Sequence, residues 1–109
     1  MRLTYAIKFV ADMDKAVAFH RDILGLPLKY ASPFWSEFAT GETTLALHPA
    51  SDQNPAGQVE LGYGVEDLAG LYERREAAGL TFTGPLREEH GTTLGQFLDC
   101  EGSPCSISG

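Results

Sequence analysis

Two stretches decide how this chain is read: Asp12-Met13-Asp14-Lys15-Ala16-Val17-Ala18-Phe19-His20-Arg21-Asp22-Ile23-Leu24-Gly25 and Asp67-Leu68-Ala69-Gly70-Leu71-Tyr72-Glu73-Arg74-Arg75-Glu76-Ala77-Ala78-Gly79. Each opens on an Asp suited to cap a helix N-terminus and closes on a Gly suited to stop it. Between them, Met13, Ala16, Val17 and Leu24 in the first, and Leu68, Leu71, Tyr72 and Ala78 in the second, recur at helical spacing. The pattern predicts two amphipathic helices. Asp12 and Asp67 are offset by 55 (67 minus 12) and Gly25 and Gly79 by 54 (79 minus 25), about half of the 109 residues. A period that halves the chain points to an internal duplication.

The flanks repeat too. Strand-like runs precede the helices at 4–10 and 58–65 and follow them at 26–30 and 80–83. Further strand candidates lie at Trp35 to Ala39 and Thr43 to His48, and at Leu94 to Leu98 and Pro104 to Ser108. The fold class is therefore α+β, a strand-helix-three-strand (βαβββ) unit used twice. We read residues 1–109 as a single domain, with module 1 at about 1–50 and module 2 at about 57–109, joined by the turn-rich linker Pro49 to Gly57.

Composition narrows the function. A 43% hydrophobic content in 109 residues supports a globular core that buries roughly 65% of the unfolded surface. Eight Lys and Arg against 15 Asp and Glu give a formal charge of -7, which argues against nucleic acid and anionic membranes as partners. No run reaches the length of a membrane span and Met1 to Tyr5 carry no signal-peptide pattern, so a cytoplasmic location is the expectation. Cys100 and Cys105 match no metal-knuckle or redox spacing and are read as reduced thiols. Gly62-Tyr63-Gly64 lies inside a strand and lacks the helix-opening context of a phosphate loop; nor is there a local signature of a catalytic Ser or Cys.

Specific residues carry a family resemblance. The run from Val10 to Leu26 resembles the "V-x-D-hydrophobic … A-hydrophobic-x-F-Y-x-x-hydrophobic-L-G-hydrophobic" signature of the vicinal oxygen chelate superfamily, with His20 where Tyr is usual. Gly64 to Asp67 resembles the family's second strand-to-helix turn. Phe97 to Pro104 resembles its closing "F-x-D-P-E-G-N-P" turn, from which Cys100 and Ser103 depart. The family includes glyoxalase I, extradiol dioxygenases, and fosfomycin- and bleomycin-resistance proteins. The resemblance implies curved mixed sheets forming half-barrels, a small-molecule partner and a homodimer. Its enzymes hold a divalent cation with one ligand on each of four strands. Those positions fall by resemblance on Tyr5, Ala46, Glu60 and Ser106, of which only Glu60 is a good hard-metal ligand.

Two readings of function stay open beside a blander third, a structural dimer or regulatory module whose cavity is filled by its own side chains. In the first, the protein binds a small organic ligand without a metal or other cofactor, using Tyr5, Trp35, His48, Gln96 and Ser106, with Glu60 as a candidate general base. In the second, it is a lyase, isomerase or dioxygenase whose Zn, Ni, Fe or Mn is held by His48 and Glu60, with Tyr5 or Glu37 as further donors. His48 can stand in for Ala46 because strand side chains two apart share a face. The same alternation puts Trp35 and Glu37 on one face and Ser36 and Phe38 on the other. Glu60 either lines the cavity, faces water, or pairs with Lys8 or Arg2 across neighbouring strands. His20, on the helical stripe, reads as a packing residue, and His90 as a loop histidine that lines the pocket or stays in solvent.

Overall fold

The computed structural model describes all 109 residues, and the chain divides into two compact units, Thr4–Glu60 and Leu61–Gly109 with Met1–Leu3. The first unit runs β1 (Arg2–Val10, whose first two residues belong to the second unit), α1 (Met13–Ala18) with a π-helical continuation at Phe19–Ile23, β2 (Leu28–Tyr30), β3 (Ser36–Ala39) and β4 (Thr44–Pro49). The second runs β5 (Val59–Gly64, whose first two residues belong to the first unit), α2 (Leu68–Glu73), α3 (Arg75–Ala78), β6 (Thr81–Phe82), β7 (Arg87–Glu89), β8 (Thr92–Leu98) and β9 (Pro104–Ser108). Strand, helix, then further strands occur twice, so the fold is α+β in two related modules, βαβββ in the first and with a fourth strand after the helices in the second.

Within the first unit the sheet order is β2-β3-β4-β1, with β1 and β4 parallel and the other pairs antiparallel. Within the second, β5 pairs in parallel with β9, β9 pairs with β8, and both β6 and β7 pair with β8. In each unit the helix carries the chain from the first strand to the far strand, β2 or β6, and the antiparallel strands that follow bring the last one back to lie parallel beside the first.

Local chemistry explains both helices and where each departs from its pattern. Lys15 N–H donates to Asp12 Oδ1 at 3.1 Å and Gly70 N–H to Asp67 Oδ1 at 3.0 Å, the capping bonds that the two Asp residues predict. Val17 then packs on Phe38 and Leu47, and Leu68 and Leu71 on Phe97, Cys105 and Ile107. After Ala18 the first helix widens, Leu24 N–H reaching Phe19 O at 3.1 Å, while the His20 ring takes the Ala16 carbonyl through Nδ1 at 2.7 Å. A side chain that claims a backbone acceptor competes with the helical ladder, and the inserted residue rotates the positions beyond it. Leu24, which the stripe places inward, is consequently 52% exposed.

The second helix is interrupted at Arg74, and Ala78 is exposed instead of buried on the stripe. Arg75 lies over the Tyr72 ring at 4.1 Å from its centroid and donates Nη1 to Tyr72 O at 2.8 Å, drawing that carbonyl out of the ladder. Gly79, at φ 77°, ends the helix while Leu80 N–H reaches back to Arg75 O.

One strand has no counterpart among the runs read from the sequence. Arg87–Glu89 pairs with Thr92–Leu94 through a two-residue turn, His90 at φ 52° and Gly91 at φ 77°, where two positive φ values match the strand twist. His90 is therefore an exposed hairpin-turn residue. Cys100 and Cys105 are both free thiols, the first exposed and the second in the core. No helix is long and apolar enough to cross a membrane.

Candidate functional site

The registers of β1, β4 and β3 place three cross-strand rows on the sheet face opposite α1. Ile7 stands beside Ala46 and Ala46 beside Glu37; Phe9 beside His48; Tyr5 beside Thr44, which is paired with Ala39. Trp35 continues the Phe9–His48 row, its ring centroid 6.1 Å from that of His48, which lies 5.5 Å from Phe9. Alternation sends Ser36 and Phe38 to the helix side, where both are completely buried. Trp35, Glu37, Tyr5 and His48 thus share one face, with Tyr5 edge-on to Trp35 at 5.9 Å.

Trp35 is held in place from behind. Ser32 Oγ accepts from Phe34 N–H at 3.3 Å and Trp35 N–H at 3.1 Å and donates to Trp35 O at 2.9 Å, closing the loop that leads into β3. Ser36 Oγ, facing the other way, contacts Ser32 O at 3.3 Å and Met13 Sδ at 3.4 Å.

Glu37 is the hub of this face. Its side chain is 20% exposed, and a carboxylate so enclosed needs partners. Trp35 Nε1–H donates to Oε2 at 2.8 Å, the Tyr5 hydroxyl bonds the same carboxylate, and Lys29 Nζ lies 3.5 Å from Oε1. Burial, the Glu37 charge and the bond to Glu37 raise the Tyr5 pKa above its ordinary value near 10, so its phenol stays neutral. His48 is exposed, and its Nδ1 lies 2.8 Å from Pro49 O. A carbonyl can only accept, so Nδ1 carries a proton in that contact and His48 is oriented by it.

The other sequence-predicted residues lie on β5, β8 and β9. Glu60 is buried, 8% exposed, which removes the water-facing alternative. Gln96 and Ser106 are cross-strand partners, and Ser106 pairs in turn with Gly62. Thr83 Oγ1 donates to Gln96 Oε1 at 2.9 Å. The sequence marks Glu37 only as a subsidiary donor and gives no signal for Lys29. Alternation does set Glu37 beside Trp35, but its contacts with Tyr5 and Lys29 depend on strand pairing that no local pattern reveals.

The donor chemistry can be tested against a chelated divalent cation. At the four family positions, Ala46 offers a methyl group and Tyr5 a neutral phenol whose pKa moves away from ionisation. Glu37, the adjacent carboxylate, stands at none of those four positions and already accepts Trp35 Nε1–H and the Tyr5 hydroxyl. No three His, Cys, Asp or Glu side chains converge, so the metal reading has only His48 and Glu60 to draw on. That set does not fit a four-ligand centre.

Comparison with known proteins agrees with the architecture. No curated protein matches the sequence. A glyoxalase/bleomycin resistance protein/dioxygenase superfamily member from Vibrio splendidus is 19% identical, with 98% of this chain and 97% of that one covered at a TM-score of 0.71. Methylmalonyl-CoA epimerase from Mycobacterium tuberculosis is 18% identical, with 98% and 86% covered at 0.79. A Streptomyces coelicolor methylmalonyl-CoA epimerase, in complex with 2-nitronate-propionyl-CoA, is 16% identical, with 99% and 93% covered at 0.79. At these identities the likeness establishes the fold alone. The family profile, however, matches residues 2–104, nearly the whole sequence, and the chain belongs to the Glyoxalase/Bleomycin resistance protein/Dioxygenase superfamily.

Proposed function

We propose that this protein binds a small organic ligand against the Tyr5, Trp35, Glu37 and His48 face of its first module, without the metal-ligand set of its family's enzymes. The observation that carries the reading is the bond from Trp35 Nε1–H to Glu37 Oε2 at 2.8 Å, with Glu37 paired across strands to Ala46. Where a chelating enzyme needs a donor, this chain has the buried Ala46 methyl, and beside it a carboxylate already held by an indole and a phenol. Aromatic walls with a few fixed polar groups are what a small planar ligand requires. Glu60 is a further candidate contact, Gln96 and Ser106 are candidate ligand contacts of the second module, and a cytoplasmic homodimer is part of the proposal.

Metal analysis of protein purified without a metal-binding tag tests the reading, together with a thermal-shift screen of small aromatic ligands. Ligand-dependent stabilisation that persists after chelator treatment supports it. Stoichiometric Zn, Ni, Fe or Mn, lost in a His48→Ala, Glu60→Ala double variant, would replace it with the metal-dependent lyase, isomerase or dioxygenase reading.

A further inference from the structure

The polar groups on the aromatic face are unequal in kind. Its donors, Trp35 Nε1–H and the Tyr5 hydroxyl, are both spent on Glu37. What is left to meet a ligand is acceptor chemistry: the part-exposed carboxylate of Glu37, beside the rings of Tyr5 and Trp35, with the exposed His48 ring 6.1 Å from that of Trp35. Such a surface suits a cation, which gains from a carboxylate and from aromatic π-faces together. The chain places a cation of its own there, and holds it loosely. Lys29 Nζ stands 3.5 Å from Glu37 Oε1 and 3.5 Å from Thr44 Oγ1, beyond the 2.7–2.9 Å of a tight charge-assisted bond, on a side chain that is 47% exposed. An ion pair this open contributes little and gives way easily.

We infer that Glu37 is the anchor for a planar organic cation of the amidinium or aryl-ammonium class, and that Lys29 is the displaceable lysine occupying that position when no ligand is bound. The inference rests on the small-molecule reading above and adds to it the chemical class of the ligand. A planar amidinium matches the two oxygens of a carboxylate with two parallel N–H donors, and its ring can lie along the Trp35 and Tyr5 walls. The net charge of -7 favours the arrival of cations at this surface.

The experiment compares benzamidinium with benzamide, its neutral near-isostere, by titration calorimetry. Emission of Trp35, the chain's single tryptophan, serves as a second readout. Benzamidinium should bind roughly tenfold tighter than benzamide and perturb Trp35 emission, the preference shrinking as salt is raised. Lys29→Met, which alters an exposed side chain, should tighten benzamidinium about threefold and leave benzamide unchanged. Glu37→Gln, checked for folding by circular dichroism, should abolish the preference. Equal binding of the two probes by the wild type, or no gain for benzamidinium in Lys29→Met, overturns the cation assignment while leaving the face as a ligand site. If neither probe binds the wild type or Lys29→Met, the ligand-site reading falls and the assignment falls with it.

Discussion

Replacing Glu37 by Gln and by Leu separates what its charge contributes from what its oxygens contribute. In the native chain the carboxylate accepts Trp35 Nε1–H at 2.8 Å and the Tyr5 hydroxyl, with Lys29 Nζ at 3.5 Å. A hydrogen bond to a charged group is worth ~1.5–3 kcal/mol net and a neutral one ~1 kcal/mol. Gln keeps an acceptor oxygen for the indole, so Glu37→Gln should cost about 1 kcal/mol, of which the Lys29 pair supplies at most ~0.5 kcal/mol because both side chains reach water. Leu keeps the bulk and removes every acceptor. Trp35 Nε1–H and the Tyr5 hydroxyl then lose their partner, but both residues are only part-buried and water recovers some of the loss. Glu37→Leu should therefore cost ~2 kcal/mol. Urea unfolding followed by circular dichroism and Trp35 emission measures both differences, and an unchanged denaturant slope assigns them to stability. A Leu variant as stable as wild type, or more stable than the Gln variant, would refute the reasoning. It would mean that desolvating the carboxylate outweighs its bonds, as some enclosed charges do.

Among the four tyrosines, Tyr5 should ionise above the ordinary value in an alkaline ultraviolet titration, and Glu37→Gln should bring it partway down, since burial persists when the charge is gone. A folded-state pKa raised in this way contributes stability that is complete below about pH 10 and is lost as pH rises through the folded value, so unfolding should become easier in that window; a Tyr5 that ionises at the ordinary value contradicts this. Asp67→Ala removes the acceptor of Gly70 N–H at 3.0 Å and should lower stability by about 1 kcal/mol in urea unfolding, with Asp67→Asn largely restoring it; equal losses in both would exclude the cap as the cause. Gly95→Ala would set a methyl 2.7 Å from Leu86 Cδ2 and 3.3 Å from Phe82 Cε2, costing ~1 kcal/mol because the Leu86 tip must move; a thermal midpoint equal to wild type would show that β8 is less tightly covered than those distances imply.

The elements legible in the sequence are those with local causes. Asp12, Asp67 and Gly79 act within a few residues of themselves, and the apolar stripes need only the helical period. Arg87-Glu88-Glu89 escaped because a strand bearing three exposed charges shows no alternation, although His90-Gly91 supplies a two-residue turn that forces pairing with Thr92. The helix irregularities at Phe19 and Arg74 trace to His20 and Arg75 binding backbone carbonyls, a competition that composition conceals. At the site, alternation alone set Trp35 with Glu37 and against Phe38. The role of Glu37 needed the β3–β4–β1 pairing, which brings residues from positions 5, 37 and 46 onto one face and is invisible to any short window.

The duplication shows why the family positions alone misdirect attention. In both modules the first strand pairs in parallel with the last, and the last in turn with an antiparallel neighbour, so the registers can be laid over each other. The row Ile7, Ala46, Glu37 of the first module corresponds to Gly62, Ser106, Gln96 of the second. By the same mapping Tyr5 corresponds to Glu60, and His48 to Ser108. One row ends on a carboxylate held by an indole, the other on an amide held by the Thr83 hydroxyl. The modules therefore share a backbone and differ in the charge at matched positions. Counting donors at Tyr5, Ala46, Glu60 and Ser106 finds one carboxylate and passes over Glu37, which stands directly across from Ala46. Glu37→Gln would give the first row the terminal side chain that the second already carries. A cation preference abolished by that single change would thus be assigned to the point where the two copies have diverged, rather than to the backbone they have in common.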